Sequence, residues 1–165
     1  MPASVDPSLR HLLADHHRAV ERSCRSLLST SYEDDPQRLV EIFRRFERAL
    51  LGHFEAERDL LLPAFERVDP GAALAIREDH EALERQLFQL AIEVELHAIR
   101  VHAIHHFIAE LRAHAAREDA TMYRWADTDL PAELQDAMRG RIGESLARLL
   151  VRTSQRMPVE VAPTP

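Results

Sequence analysis

Four times in this chain a histidine is followed four residues later by a glutamate: His17 and Glu21, His53 and Glu57, His80 and Glu84, His114 and Glu118. Asp119 adds a second carboxylate directly after the last of these. Residues four apart on a helix lie one above the other. Each pair therefore sets an imidazole nitrogen and a carboxylate oxygen on one stripe. Such donors suit iron, manganese or zinc, and a carboxylate can bridge two ions about 3.5–4 Å apart. With Cys24 as the single cysteine, a thiolate-rich zinc or iron–sulfur site is excluded, as is an internal disulfide.

Taken singly, a His/Glu pair on an arginine-rich helix is an ordinary solvated pair. Glu21 and Glu84 fit that description, each standing beside an arginine, Arg22 or Arg85. His53 with Glu57 and His114 with Glu118 do not, because helical spacing aligns them with core positions such as Phe46, Leu50, Phe107 and Leu111. Buried ionisable groups cost several kcal/mol unless something satisfies them. Of the ten histidines, His11, His97, His102, His105 and His106 lie off these stripes and are expected at the surface. His16 adjoins His17, and a shift of one residue would exchange them; the repeat set out below favours His17.

The elements that must position these groups are helices. Four glycines and almost no β-rich runs favour helix. Asp6-Pro7-Ser8 opens a first helix with Leu9, Leu12, Leu13, Val20, Cys24 and Leu27 on one face, and Thr30 to Asp35 ends it. Asp35-Pro36 and Asp69-Pro70 both read as an N-cap followed by proline in the first turn. The second helix ends or kinks near Pro63, and the third runs from Pro70 to about Val94. A fourth begins near Ala98, with no glycine or proline to mark the join. A fifth covers 131–152, carrying an apolar stripe of Leu134, Met138, Ile142, Leu146 and Leu149 that either caps the bundle or forms a homodimer. Residues 153–165 are expected to be a disordered tail. Phe43, Phe46, Ile104, Phe107 and Met122 read as core, and Tyr123 and Trp125 as a cover over one end.

The two halves repeat. HRAVER (17–22) lies over HEALER (80–85), and IFRRFERALLGHFEAE (42–57) over AIHHFIAELRAHAARE (103–118), so that His53 meets His114 and Glu57 meets Glu118. Two copies of a helical hairpin bury their apolar stripes as an antiparallel up-down four-helix bundle. At about 1.5 Å per residue, His17, His53, His80 and His114 fall roughly 20–26 Å from the same end. One layer of the bundle then holds a histidine from every helix.

Composition excludes several functions. The net charge of −7 argues against nucleic acid or an anionic membrane as partner. No stretch approaches the roughly 20 apolar residues of a membrane span, and the first residues lack the apolar core of a signal peptide, so a cytoplasmic location is expected. No phosphate-binding glycine loop, nucleophile setting or basic stripe is present.

Asp15-His16-His17, His53-x3-Glu57 with Leu62-Pro63, Asp79-His80, and His114-x3-Glu118-Asp119, in this order over residues 8–126, resemble the hemerythrin-like family, also called the HHE cation-binding domain. The resemblance implies an all-α bundle enclosing a non-haem di-iron centre, bridged by carboxylates and an oxo or hydroxo group or water. His17, His53, His80 and His114 would be terminal ligands and Glu57 a bridge. The second bridge would come from Glu118, as in many bacterial relatives, or from Asp119, as in oxygen carriers; helical direction favours Glu118, which repeats Glu57. Oxygen carriers also have a histidine four residues after the one in the third helix, where this chain has Glu84. An anionic ligand there would stabilise ferric iron, which leaves iron sensing, response to dioxygen, peroxide or nitric oxide, and oxidase or peroxidase chemistry as alternatives to oxygen carriage. A metal- and oxygen-binding protein is the first expectation. An enzyme using Glu84 or Glu21 as acid or base is the second, and a helical interaction module with a degenerate or zinc-filled site is the third.

Overall fold

The computed structural model describes residues 8–33 and 35–150, and every element among them is helical. The elements are α1 (Leu9–Thr30), α2 (Pro36–Leu60), α3 (Leu62–Phe65), α4 (Pro70–Glu95), α5 (Val101–Ala120), α6 (Met122–Asp129) and α7 (Ala132–Leu150). None is long and apolar enough to cross a membrane. The expected tail at 153–165 and the last two residues of the expected fifth helix lie outside the described residues.

Local chemistry sets the ends of the helices. Ser8, Asp35 and Asp69 each turn a side-chain oxygen to the backbone N–H of His11, Arg38 and Ala72, satisfying donors that a first turn leaves free. At Leu61 the long second helix breaks, and Pro63 enters the short α3 that follows. The unmarked join between α4 and α5 is made by His97, which takes the left-handed conformation at φ 52°. Ala98 N–H then reaches back to the carbonyl of Glu93 at 2.8 Å. The Glu93 carboxylate, nearly buried, accepts from both the backbone and the guanidinium of Arg100.

Helices α1, α2, α4 and α5 pack as a ring in that order, α5 closing against α1, which is the four-helix bundle. The expected fourth helix is two: Thr121, with φ −122° and ψ −87°, interrupts it between α5 and α6. Helix α7 lies across α2 and α1 of its own chain, and Met138 and Ile142 are fully buried there. The interior divides into two apolar clusters. One contains Val20, Phe43, Phe46, Phe54, Leu87, Phe107 and Leu111. The other gathers Leu9, Leu13, Leu61, Phe65, Ile76, Met122, Met138 and Ile142. Each such side chain contributes on the order of 1.5–3 kcal/mol by burial, so a core stands on both sides of the level where the polar residues meet.

Candidate metal centre

That level holds His17, His53, Glu57, His80, His114 and Glu118. All are buried except His17, whose side chain is 13 % exposed. Four helices supply them, as the repeat requires: α1 gives His17, α2 His53 and Glu57, α4 His80, and α5 His114 and Glu118. Two donor groups have ligand atoms close enough to hold an ion: Glu57, His80, His114 and Glu118 in one, His17, His53 and Glu118 in the other.

Glu118 belongs to both groups, and Glu57 approaches a histidine of each. Glu57 directs Oε1 to His53 Nε2 at 3.3 Å and Oε2 to His80 Nε2 at 3.3 Å. Glu118 directs Oε1 to His114 at 3.0 Å and His80 at 3.2 Å, and Oε2 to His17 at 3.2 Å. His17 and His53 bring their Nε2 atoms to 3.1 Å of each other. Nitrogen lone pairs do not attract one another, so such an approach is favourable only with a cation or proton between them. Within the layer, His114 Nε2 and Glu57 Oε2 are buried, and although they stand 3.0 Å from Glu118 and 3.3 Å from His80, neither makes a hydrogen bond. Orphaned buried acceptors of this kind are costly in an apolar interior, and a cation is what all these donors lack. Residues and donor types thus fit a metal ion.

The electrostatics agree. Burial alone would raise the Glu118 carboxyl, but His114, with hydrogen bonds from His17 and His80, holds it well below the usual carboxylate range. Glu57 is likewise depressed, against burial and the charge of Glu118, by His53 and His80. Burial opposes charge on His80, yet hydrogen bonds to Glu118 and Glu57 raise its pKa to about 9. Burial prevails at His17, whose pKa is lowered. Two carboxylates are thus held anionic in a dry layer with a protonated His80 between them, and a metal ion would take the place of that proton.

Asp79 supports the layer from outside. Its Oδ2 stands 3.5 Å from His114 Nδ1 and 2.8 Å from Arg117 Nε, ion-pair approaches without a hydrogen bond to either atom. The carboxylate sets a negative charge behind the ring.

The four alternative positions go elsewhere. His16 is buried, but its Nε2 meets Ser145 Oγ of α7 at 2.8 Å, and its ring stacks on His53 with centroids 4.4 Å apart. Asp119 pairs with Arg10 through two hydrogen bonds, 2.9 and 3.1 Å, on the bundle surface. Glu84 is held by Arg58 at 2.8 Å, and Glu21 by Arg112 and Arg25. The reason is common to the three carboxylates: each has a guanidinium within reach at the surface. Neither Glu84 nor Glu21 is therefore positioned as an acid or base for the centre.

Tyr123 is the residue that sequence reasoning passed over. Expected to cover an end of the bundle, it instead extends its hydroxyl into the layer, 3.2 Å from His17 Nε2, 3.2 Å from His53 Nε2 and 3.1 Å from Glu118 Oε2, and donates to Glu57 Oε1. Trp125 does lie at the end, against Phe65. A tyrosine five residues after Glu118 is off the helical stripe. Only the break at Thr121 brings it round.

Comparison with known proteins agrees with this geometry. The family model for the hemerythrin HHE cation-binding domain matches residues 8–126. No curated protein and no solved structure matches the chain. The matched span opens at the Ser8 cap, takes in every residue of the polar layer together with Tyr123, and stops before α7. With its ring of four helices around a histidine and glutamate layer, the chain belongs to the hemerythrin HHE cation-binding family.

Proposed function

We propose that the two donor groups hold a dinuclear non-haem iron centre, and that the protein uses it to bind or sense iron, oxygen or a related small molecule such as peroxide or nitric oxide. One observation carries this reading: each of two buried glutamates divides its oxygens between the two histidine pairs, His17 with His53 and His80 with His114. A single-ion site has no use for that division, whereas two ions need bridges. Nitrogen and oxygen donors without sulfur suit iron, with manganese and zinc as the competing occupants.

In this reading His17 and His53 would hold one ion, His80 and His114 the other, and Glu57 and Glu118 would be shared between them. Asp79 places a carboxylate 3.5 Å behind the His114 ring. The apolar clusters above and below exclude water from the layer and strengthen every electrostatic interaction within it. Iron so held supplies a redox-active Lewis acid for a small oxygen- or nitrogen-containing ligand.

The test is elemental analysis with a visible and near-ultraviolet spectrum on protein made in iron-supplemented medium. The expected result is about two irons per chain with oxo-bridge absorption. Zinc at one equivalent, or no metal, would replace this reading with a structural or vestigial polar layer.

A further inference from the structure

We infer that Tyr123 is a fifth protein ligand, binding the ion on the His17/His53 side through its phenol oxygen. The inference rests on the dinuclear reading above and adds a donor to it. First-row ions hold nitrogen and oxygen donors at about 2.0–2.2 Å, so donors at right angles around one ion stand about 3.0 Å apart. The neighbours on this side keep that spacing: His17 to His53 3.1 Å, His17 to Glu118 Oε2 3.2 Å, His53 to Glu57 Oε1 3.3 Å. Tyr123 Oη keeps it too, at 3.2, 3.2 and 3.1 Å from His17, His53 and Glu118, and it also touches Glu57 Oε1.

One oxygen adjacent to all four donors stands where a further donor to the same ion would. A phenol has one proton to give, and it can accept from a ring N–H of His17 or His53. With its proton on Glu57, the Glu118 Oε2 at 3.1 Å stands against the same oxygen with no proton between them, and a shared cation accounts for that approach. The His80/His114 side has no such neighbour among the described contacts of Tyr123, so the two positions are inequivalent. The first has two imidazoles, two carboxylate oxygens and a phenol; the second has two imidazoles and two carboxylate oxygens.

Ligation forms one iron–oxygen bond and breaks the phenol O–H bond, the proton leaving to solvent, with no electron transferred. In the absence of a cation, burial and the charges of Glu118 and Glu57 keep the phenol protonated. An adjacent trivalent ion reverses that balance.

The experiment uses the full chain loaded with ferrous salt and oxidised in air, with iron content, visible absorption and resonance Raman spectra read together. The expected result is a phenolate-to-iron(III) charge-transfer band in the visible, with tyrosinate ring modes enhanced on exciting into it. Both should be lost in Tyr123→Phe and kept in Tyr32→Phe. The chain has two tyrosines, and Tyr32 is 68 % exposed in the loop after α1, away from the layer. If Tyr123→Phe does not hold iron, ring modes in wild type that persist in Tyr32→Phe still assign the ligand. Iron-loaded wild type without the band, or a band that survives in Tyr123→Phe, overturns the inference and leaves the dinuclear centre standing. Wild type that takes up no iron overturns both.

Discussion

His16 lies flat against His53, ring centroids 4.4 Å apart and planes within 5° of parallel, and is held there by Ser145 of α7. Ser145 donates its own proton to the carbonyl of Ala49 at 2.7 Å, so its oxygen accepts from His16 Nε2–H. The seventh helix therefore reaches the polar layer through one hydrogen bond and one ring stack. His16 is in neither donor group.

Ser145→Ala leaves the His16 N–H buried without an acceptor, at a cost of about 1–3 kcal/mol. At about 2–4 °C per kcal/mol for a chain of this size, the melting temperature should fall by roughly 2–12 °C. Metal content should not change. Denaturant melts and elemental analysis on the same preparations check both; a loss of metal would mean that His16 orients His53 more strongly than the geometry implies.

Glu57→Gln replaces one of the two carboxylate oxygens that Glu57 directs to His53 and His80. Iron should drop from about two per chain to one or fewer. Glu84→Gln and Asp119→Asn should leave it unaltered, since those carboxylates pair with Arg58 and Arg10 at the surface, where such pairs are worth about 0–1 kcal/mol. Elemental analysis of the three variants beside wild type would expose an error in either assignment.

The metal-free protein should lose stability as pH rises. His80 has its folded pKa raised from 6.5 to about 9, so its contribution is fully present below about pH 6.5 and disappears through pH 9. Its size is on the order of 3 kcal/mol. Glu118 and Glu57 are depressed, so theirs is present above the ordinary carboxylate value and lost as pH falls. His16 and His17 are lowered by burial, so the folded state also loses ground as pH falls below about 6.5, and the optimum lies at about pH 6.5. Metal affinity should move oppositely on the alkaline side, because an ion must displace the His80 proton. Urea melts of chelator-treated protein across this range, with His80→Asn expected to flatten the alkaline limb, give the test.

Chelation should weaken the fold without unfolding it. An ion present at about a hundred times its dissociation constant stabilises by about 2.7 kcal/mol, or roughly 5–11 °C for this length. Helical circular dichroism should persist at room temperature, since the two apolar clusters contain no donor to the layer except Tyr123. Thermal melts before and after chelation decide; identical curves would argue against a metal held across four helices.

Much of the fold could be read locally. Ser8, Asp35 and Asp69 cap helices that their own sequence announces, and Pro63 marks the end of α2. The α4–α5 join was not legible, because His97 takes a left-handed conformation usually left to glycine or asparagine, and the clasp between Glu93 and Arg100 spans seven residues. The break at Thr121 was hidden for a similar reason: nothing in threonine, alanine or methionine forbids helix.

The sequence by itself determined that His53 with Glu57 and His114 with Glu118 share inward stripes, because helical periodicity is a local property, and the internal repeat put His80 at their level. Tertiary structure alone decided the rest. His17 faces the layer and His16 faces Ser145 because α7 packs across α1 and α2, a contact over 129 residues of sequence. Glu118 turns in and Asp119 out because Arg10 of a neighbouring helix holds the aspartate. Tyr123 enters the layer because the chain breaks at Thr121 and rotates α6, carrying to the centre a side chain that an unbroken helix would have pointed away.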